Sequence, residues 1–446
     1  MAPRPTTKQS INAALQERRE GTQRERLLAG MILAANRYGY AGATVSAVIG
    51  EAGVSSVTFY EIFDDKDDCF LAAAALAHER LLASVAAAVE AHSPERAAAA
   101  SIEALLAFAA EEPALARFSM NEILAGRSRA LDARDAGIDE LAQTVERAFE
   151  RVPSLGVIPE LPVGVMLGAV CRLLAARLRR GERGLRAMSG DLLGWSKSYA
   201  RPAGKHRWRA FTPASSPARS PHLPATALRP PPALGPGRPR IPADEVAENQ
   251  RQRILFATAK VVAQRGFNAT TIGEIAKLAG LDARVFSRLF ADPQEAFAAI
   301  HQLGFQELVA SCAGAYSAGS IWPERVWEAL RAVTQSVQGD PTLARVAFVE
   351  AHAAGAGAIQ RVEDTRTAFT IFLYEGYRHA QQHAGPPRLA LEAIVTAVFE
   401  VIYRQVRAAP APEIDRLLPH LTHLCLTPFI GPDESERFIE EKLRRR

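Results

Sequence analysis

The chain has 446 residues, 23% of them charged and 48% hydrophobic, with a net charge of +4 and a mean hydropathy of −0.04. This length suits two to four domains. The hydropathy argues against a membrane protein, and the near-balanced charge means that any nucleic-acid binding must rest on local clusters of charge. Four scattered cysteines, Cys69, Cys171, Cys312 and Cys425, form no CxxC pair, which points to a reducing, cytoplasmic setting.

Residues 1–23 carry Arg4, Lys8, Arg18 and Arg19 with little apolar periodicity before Ile11. They read as a basic arm, either touching phosphates or a minor groove or simply solvated. No apolar signal core is present at this end. Residues 24–70 follow a different pattern. Leu27, Leu28, Met31, Ile32 and Ala35 stand at helical spacing and stop at Gly39, expected as a left-handed C-cap. Thr44 offers an N-cap hydroxyl to a short second helix, and Gly53 permits the tight turn that follows. A third helix is expected from Ser55, with Phe59 and Phe63 four apart so that both rings face the core. Helix, helix, glycine turn and helix make the helix-turn-helix plan.

Residues 71–200 form a helical segment, with helices expected over 66–91, 94–111, 113–125, 127–151, 162–180 and 184–199. The Ala-rich stretch after Phe70 is interrupted by His78, Glu79 and Arg80, too early for a membrane span. From 201 to 246 the character changes. Residues 201–243 hold eleven prolines and eight Lys or Arg with no acidic residue, so this stretch is a semi-extended linker that cannot bury a core. At its end Gly-Pro-Gly-Arg238-Pro-Arg240 resembles an AT-hook core, which implies minor-groove contact by Arg238 and Arg240; a solvated linker is the other reading.

Residues 247–297 bring the first pattern back. Arg251 to Phe297 aligns with Arg24 to Phe70 at an offset of 227 without a gap, with eleven of 47 positions identical, among them Gly266, Thr271, Gly280, Phe286 and Phe290. An internal repeat of this kind governs the whole reading. Glu274 is expected to complete a capping box with Thr271, and Asp282 to cap the third helix. Residues 298–446 are again helical, with helices expected over 293–313, 323–338, 340–353, 357–383, 387–408 and 411–427. Asp340-Pro-Thr-Leu-Ala-Arg345 echoes Glu112-Pro-Ala-Leu-Ala-Arg117, so the repeat extends beyond the three-helix motif.

Gly39, Tyr40, Thr44, Val48, Ala52, Gly53, Val54, Ser55, Phe59, Tyr60, Phe63 and Lys66 stand in a register that resembles the N-terminal domain of the TetR family of bacterial transcriptional regulators. Two copies make the chain resemble a tandem TetR protein. The resemblance implies an all-α fold of two units, each a helix-turn-helix domain followed by a helical ligand-binding and dimerisation domain. In copy one Ser55, Ser56 and Thr58 are the available base-reading groups, and the resemblance assigns phosphate contacts to Tyr60 and Lys66, with Thr44 near the backbone. Copy two departs from the pattern, with Ser287 and Pro293 where the tyrosine and lysine belong. There Thr271 matches Thr44, Arg284 is suited to guanine, Arg288 adds charge on the same face, and Lys277 suits a backbone contact.

Phe118, Met166 and Trp195 in unit one, and Trp327, His352, Tyr374 and Tyr377 in unit two, either line a small-molecule cavity or pack in the core. His379 and His383 have metal-ligand spacing without a carboxylate or cysteine beside them, so no metal is expected. No cofactor motif and no nucleophile-and-base signature stands out, and the chain is not expected to be an enzyme. The resulting expectation is a ligand-responsive repressor that binds double-stranded DNA and an unknown small-molecule effector. It would act as an intramolecular pseudo-dimer, or as a homodimer of such chains, with no membrane partner. The rival is a helical ligand-binding or interaction scaffold in which one or both motifs no longer bind DNA.

Overall fold

In the computed structural model the described residues are 21–150, 163–199, 229–234, 242–380, 385–409 and 413–444. They are helical, with no strand among them. Two compact units emerge: Met1–Trp208 with Pro386–Ala397, and Arg209–Gly385 with Val398–Arg446.

In the first unit α1 (Gln23–Gly42) buries Leu27, Leu28, Met31, Ile32 and Ala35 on one face. Thr22 opens it with a full capping box, accepting from the Glu25 N–H while the Glu25 carboxylate accepts from the Thr22 N–H. Gly39 corrects the expected left-handed cap. Its φ is 73° but its ψ is 171°, so it kinks the helix in an extended, mirror-β geometry. The left-handed cap sits instead at Gly53 (φ 62°, ψ 40°), which ends α2 (Val45–Ala52) after Thr44 has capped its start. Ser55 then caps α3 (Ser56–Ile62), and Phe59 and Phe63 bury their rings with centroids 5.9 Å apart. Arg26 reaches across from α1 to donate to the Ala52 carbonyl at 3.1 Å, and Arg24 lies over the Phe63 ring.

Asp65 caps α4 (Lys66–Glu90), whose buried residues include Phe70, Ala73, Ala77, Leu81 and Val85. By length and composition this helix is apolar enough to cross a bilayer. Here those residues pack against α1, α5 (Ala97–Glu111) and α7 (Ser128–Glu150), so it is a core helix. Between α5 and α7 run α6 (Pro113–Met120) and a 3-10 turn, Glu122–Ala125. The unit continues with α8 (Val163–Arg179) and α9 (Ser189–Lys197).

The second unit repeats the plan. α10 (Ala243–Arg265) starts before the expected linker end at 246 and stops at Gly266. Gly266, like Gly39, has a positive φ with an extended ψ (79°, 155°), not the expected left-handed cap. α11 (Ile272–Ala279) is capped by Thr271 and ended by a left-handed Gly280. The expected capping box is incomplete, because the Glu274 carboxylate accepts from the Thr271 hydroxyl and pairs with Arg265 instead of reaching the Thr271 N–H. Asp282 caps α12 (Ala283–Leu289), with Phe286 and Phe290 buried 5.8 Å apart. Arg253, the counterpart of Arg26, donates to the Ala279 carbonyl at 2.9 Å.

Beyond these, α13 (Pro293–Ala318), α14 (Trp322–Gly339) and α15 (Pro341–Phe348) follow the expected order, with a 3-10 turn at Glu350–His352. The single helix expected over 357–383 is three pieces, α16 (Ala356–Phe369), α17 (Ile371–Tyr374) and α18 (Gly376–His379). Its bends have a packing cause. Gly376 lies so close to Trp322 that a Cβ there would stand 2.6 Å from the indole, and the Trp322 N–H donates to the Phe372 carbonyl at 3.1 Å. α19 (Leu389–Ala408), whose residues up to Ala397 count with the first unit, and α20 (Leu418–Ile430) come next. A last helix that sequence periodicity did not suggest, α21 (Pro432–Arg444), closes the chain, tied by Lys442 to Glu324 at 2.8 Å.

His301 on α13 sits in the core of this unit, 1% exposed, stacked on Phe297 and edge-on to Phe305. Burial, with the neighbouring Arg361 cation adding to it, pushes its pKa down from 6.5 to about 3. Folded protein therefore keeps the ring neutral, whereas the unfolded chain takes up a proton below the ordinary value. The stability this confers is complete above about pH 6.5 and is lost as pH falls towards about 3. Urea unfolding from pH 6.5 to pH 4 should show wild type losing up to about 1.4 kcal/mol more per pH unit than a His301→Phe variant. Equal slopes would contradict the buried neutral ring.

Candidate nucleic-acid interface and effector cavity

The third helix of each three-helix domain presents one face to solvent. At the 227-residue offset Ser56 pairs with Ala283, Val57 with Arg284, Tyr60 with Ser287 and Glu61 with Arg288, and all eight are exposed. Phe59 and Phe286, on the opposite side, are fully buried, which fixes the rotation of both helices. A helix held this way offers its first turns to base edges and its flanks to phosphates.

In the first unit the predicted groups divide by what they already touch. Ser55 accepts from the Thr58 N–H at 3.1 Å, and its hydroxyl lies 2.9 Å from that of Thr58, so these two side chains are committed to the cap. Ser56 is exposed, and Tyr60 is 61% exposed with its ring edge-on to Phe59. Thr44 is exposed and accepts from the Ala47 N–H at 3.2 Å. Lys66 is turned inward: its ammonium donates to the Tyr40 carbonyl at 2.7 Å, lies 4.0 Å from the Tyr40 ring centroid, and is lowered in pKa by burial. The nearby acids are also more engaged than a solvated cluster. Asp65 caps α4, and Asp67 accepts from the Tyr40 hydroxyl and pairs with Arg127 at 3.3 Å.

In the second unit Thr271, Lys277, Arg284, Ser287 and Arg288 are all exposed. Arg288 donates to Gln250 at 2.9 Å, whereas the Arg284 guanidinium has no hydrogen-bond or ion-pair partner among the described residues. Arg238 and Arg240 lie outside the described residues. Val57 is not among the contact groups expected from the sequence. It is 66% exposed between Ser56 and Thr58, and its signal was an apolar residue on the solvent side of the helix that carries Phe59 and Phe63 inward.

A cavity of about 420 Å³ opens in the first unit, lined from α4, α6, the 3-10 turn, α7 and α8. Leu71, Met120, Ile123 and Leu141 supply apolar wall, while His78, Arg129 and Arg134 supply polar groups. His78 Nε2 lies 2.8 Å from the Glu140 carboxylate, and its ring packs on Gly137, where a Cβ would stand 2.9 Å from Nδ1. Phe118, Met166 and Trp195 do not line this cavity; all three are fully buried core side chains. In the second unit Trp327 and His352 are buried, with Trp327 edge-on to Phe438, and Tyr377 packs edge-on to Phe429. Tyr374, at 54% exposed, is a surface residue. His379 stacks on Trp322 and His383 lies outside the described residues. Among the described residues no group of three or more His, Cys, Asp or Glu side chains could hold a metal ion.

Residues 33–73 and 254–300 each match the family model for bacterial regulatory proteins of the tetR family. Similar solved structures include a fatty acid degradation regulator, FadR, from Bacillus halodurans, 18% identical over 40% of this chain and 94% of its own, with a TM-score of 0.37. A TetR family transcription regulator from Marinobacter aquaeolei VT8 is 21% identical over 43% of this chain and 97% of its own, with a TM-score of 0.33. FadR from Bacillus subtilis, solved in complex with stearoyl-CoA, is 15% identical over 39% and 96%, with a TM-score of 0.34. No curated protein matches the chain.

Lys66 gives a direct test of the first domain's wiring. Because its ammonium already anchors α4 to the Tyr40 carbonyl, Lys66→Met should lower stability without DNA by about 1.5–3 kcal/mol, the range for hydrogen bonds to charged groups. Chemical denaturation measures this. An unchanged midpoint would mean that the ammonium is free for phosphate alone.

Proposed function

We propose that this TetR-type regulator, one chain carrying two of the family's DNA-binding domains, is a ligand-responsive repressor that grips an asymmetric operator as an intramolecular pseudo-dimer. The observation that carries this reading is the repeat of a complete helix-turn-helix with its recognition face exposed in both copies and chemically different between them. One chain would place α3 and α12 in successive major grooves, about 34–36 Å apart as paired motifs require. Thr44, Ser56 and Tyr60 would serve one half-site, and Thr271, Lys277, Arg284, Ser287 and Arg288 the other, with Arg238 and Arg240 reaching the minor groove. Lys66, Ser55 and Thr58 would hold the first domain in shape and touch phosphate only at its edge. In this reading the work is cytoplasmic, and a second copy of the chain would be a further partner.

The cavity supports the ligand-responsive part. α4 begins three residues after Phe63 closes the recognition helix, and it runs on to line the cavity with Leu71, Ala74 and His78. A small molecule bound there would favour one position of α4, and so one setting of α3, shifting the population between binding and non-binding forms. Its volume lies within the roughly 300–1,000 Å³ range of small-molecule sites.

A second reading has its own observation. Glu61 stands on the exposed face of α3, and Ser287 and Pro293 replace the expected tyrosine and lysine in the second unit, which would suit a helical scaffold with weakened DNA affinity. Fluorescence anisotropy on fragments selected from genomic DNA, over a salt series, separates the two. Wild type should bind a discrete site with a steep salt slope. Tyr60→Ala and Arg284→Ala should each weaken it by roughly 5- to 150-fold. A shallow slope and no loss in either variant would favour the scaffold.

A further inference from the structure

The two recognition helices differ most sharply at their second residue. Val57 in α3 and Arg284 in α12 occupy the same place: each follows one residue after the helix start, two after the capping side chain, and two before the buried phenylalanine that sets the helix rotation. The caps are alike too, with Ser55 and Asp282 each accepting a backbone N–H within the first turn. Backbone geometry therefore aims both side chains the same way, outward. Val57 is 66% exposed, and Arg284 is exposed with its guanidinium unpartnered among the described residues. Neither contributes to a core or to a cap.

We infer that this position reads the equivalent base pair in each half-site, and reads it oppositely: Val57 selects a thymine methyl and Arg284 selects a guanine. This rests on the reading of both motifs as DNA-binding. In the major groove thymine offers a C5-methyl that an apolar side chain covers, whereas guanine offers the O6 and N7 acceptors that an arginine fork engages together. An isopropyl group has no donor for guanine, and leaving O6 and N7 dry against it is unfavourable. Of the hydroxyls around Val57, Ser55 and Thr58 are bonded to each other, which leaves exposed Ser56 to meet a base or phosphate beside the pair that Val57 reads. Charge around the position agrees. Arg288 lies four residues beyond Arg284 on the same face, whereas Glu61 lies four beyond Val57, so the guanine-reading helix also carries the stronger attraction for phosphate. The operator asymmetry is thereby given a location and a chemistry: an A·T pair under α3 where α12 has a G·C pair.

Selection of binding sites from random duplexes, with the intact chain and with Val57→Arg, Arg284→Val and the double exchange, tests this. Wild type should enrich thymine at one position and guanine at its counterpart in the other half. Val57→Arg should convert the first to guanine, Arg284→Val should lose the second, and the double exchange should swap the two. Anisotropy on the matched duplexes should show preferences of roughly 5- to 150-fold moving with the side chains. Val57→Thr, which keeps a methyl group, should retain thymine, and it serves if the arginine variant fails to fold. Preferences at those two pairs that stay put in the exchanged variants would overturn the inference while leaving DNA binding intact. Absence of any selected site for wild type would remove the DNA-binding reading itself, and this inference with it.

Discussion

A guanidinium in each unit holds the helix-turn-helix closed. Arg26 donates to the Ala52 and Gly53 carbonyls, and Arg253 to the Ala279 carbonyl, in both cases where a short helix ends in a left-handed glycine. Those carbonyls are the orphan acceptors of a helix C-terminus, so the cation satisfies them and complements the helix dipole at once. The glycine then turns the chain sharply enough for the third helix to cross, and the buried phenylalanine pair fixes its rotation. The proposed DNA-facing surface depends on that closure, because a rotated third helix would bury the residues it should present. Both arginines are among the eleven positions shared between the copies.

Each three-helix domain is also bonded to the helices behind it, the coupling that the proposed ligand response would need. In the first unit Asn36 on α1 donates to the Ala114 carbonyl at 2.8 Å, next to the segment that leads into the cavity wall. In the second, the Glu350 carboxylate accepts from the Phe267 N–H at 3.0 Å, and Lys260 donates to Thr342 at 2.9 Å. Burial holds the Glu350 carboxyl above its ordinary pKa, although the Phe267 N–H and Arg345 draw it back down. The two units thus use different bonds at corresponding places. A repeat that preserves fold while changing its couplings can respond to different inputs in its two halves.

Much of this was legible in the sequence because it depends on local rules. Glycine at Gly53 and Gly280, caps at Thr44, Ser55, Thr271 and Asp282, and phenylalanines four apart are short-range signals, and the structure places each where spacing implied. Failures came where tertiary packing decided. The interruption before Gly376 goes with Trp322, which packs on that glycine and donates to the Phe372 carbonyl, and nothing within 357–383 announces that partner. The inward turn of Lys66 depends on Tyr40, 26 residues away in sequence. Cavity residues were hardest to see: large aromatic side chains such as Phe118 and Trp195 fill the core, whereas the space is left by small ones, Ala74, Ala133 and Gly137 among them. An exposed valine such as Val57 is ordinary on most surfaces and becomes informative only under the proposal that its helix reads bases.

In the proposed complex one chain supplies two unlike readers to one operator. Native mass spectrometry of the complex with its selected duplex, combined with a hydroxyl-radical footprint, tests this most directly. One chain per duplex is expected, with two protected stretches about one helical turn apart. Two chains per duplex, each protecting a single stretch through the same motif, would contradict it.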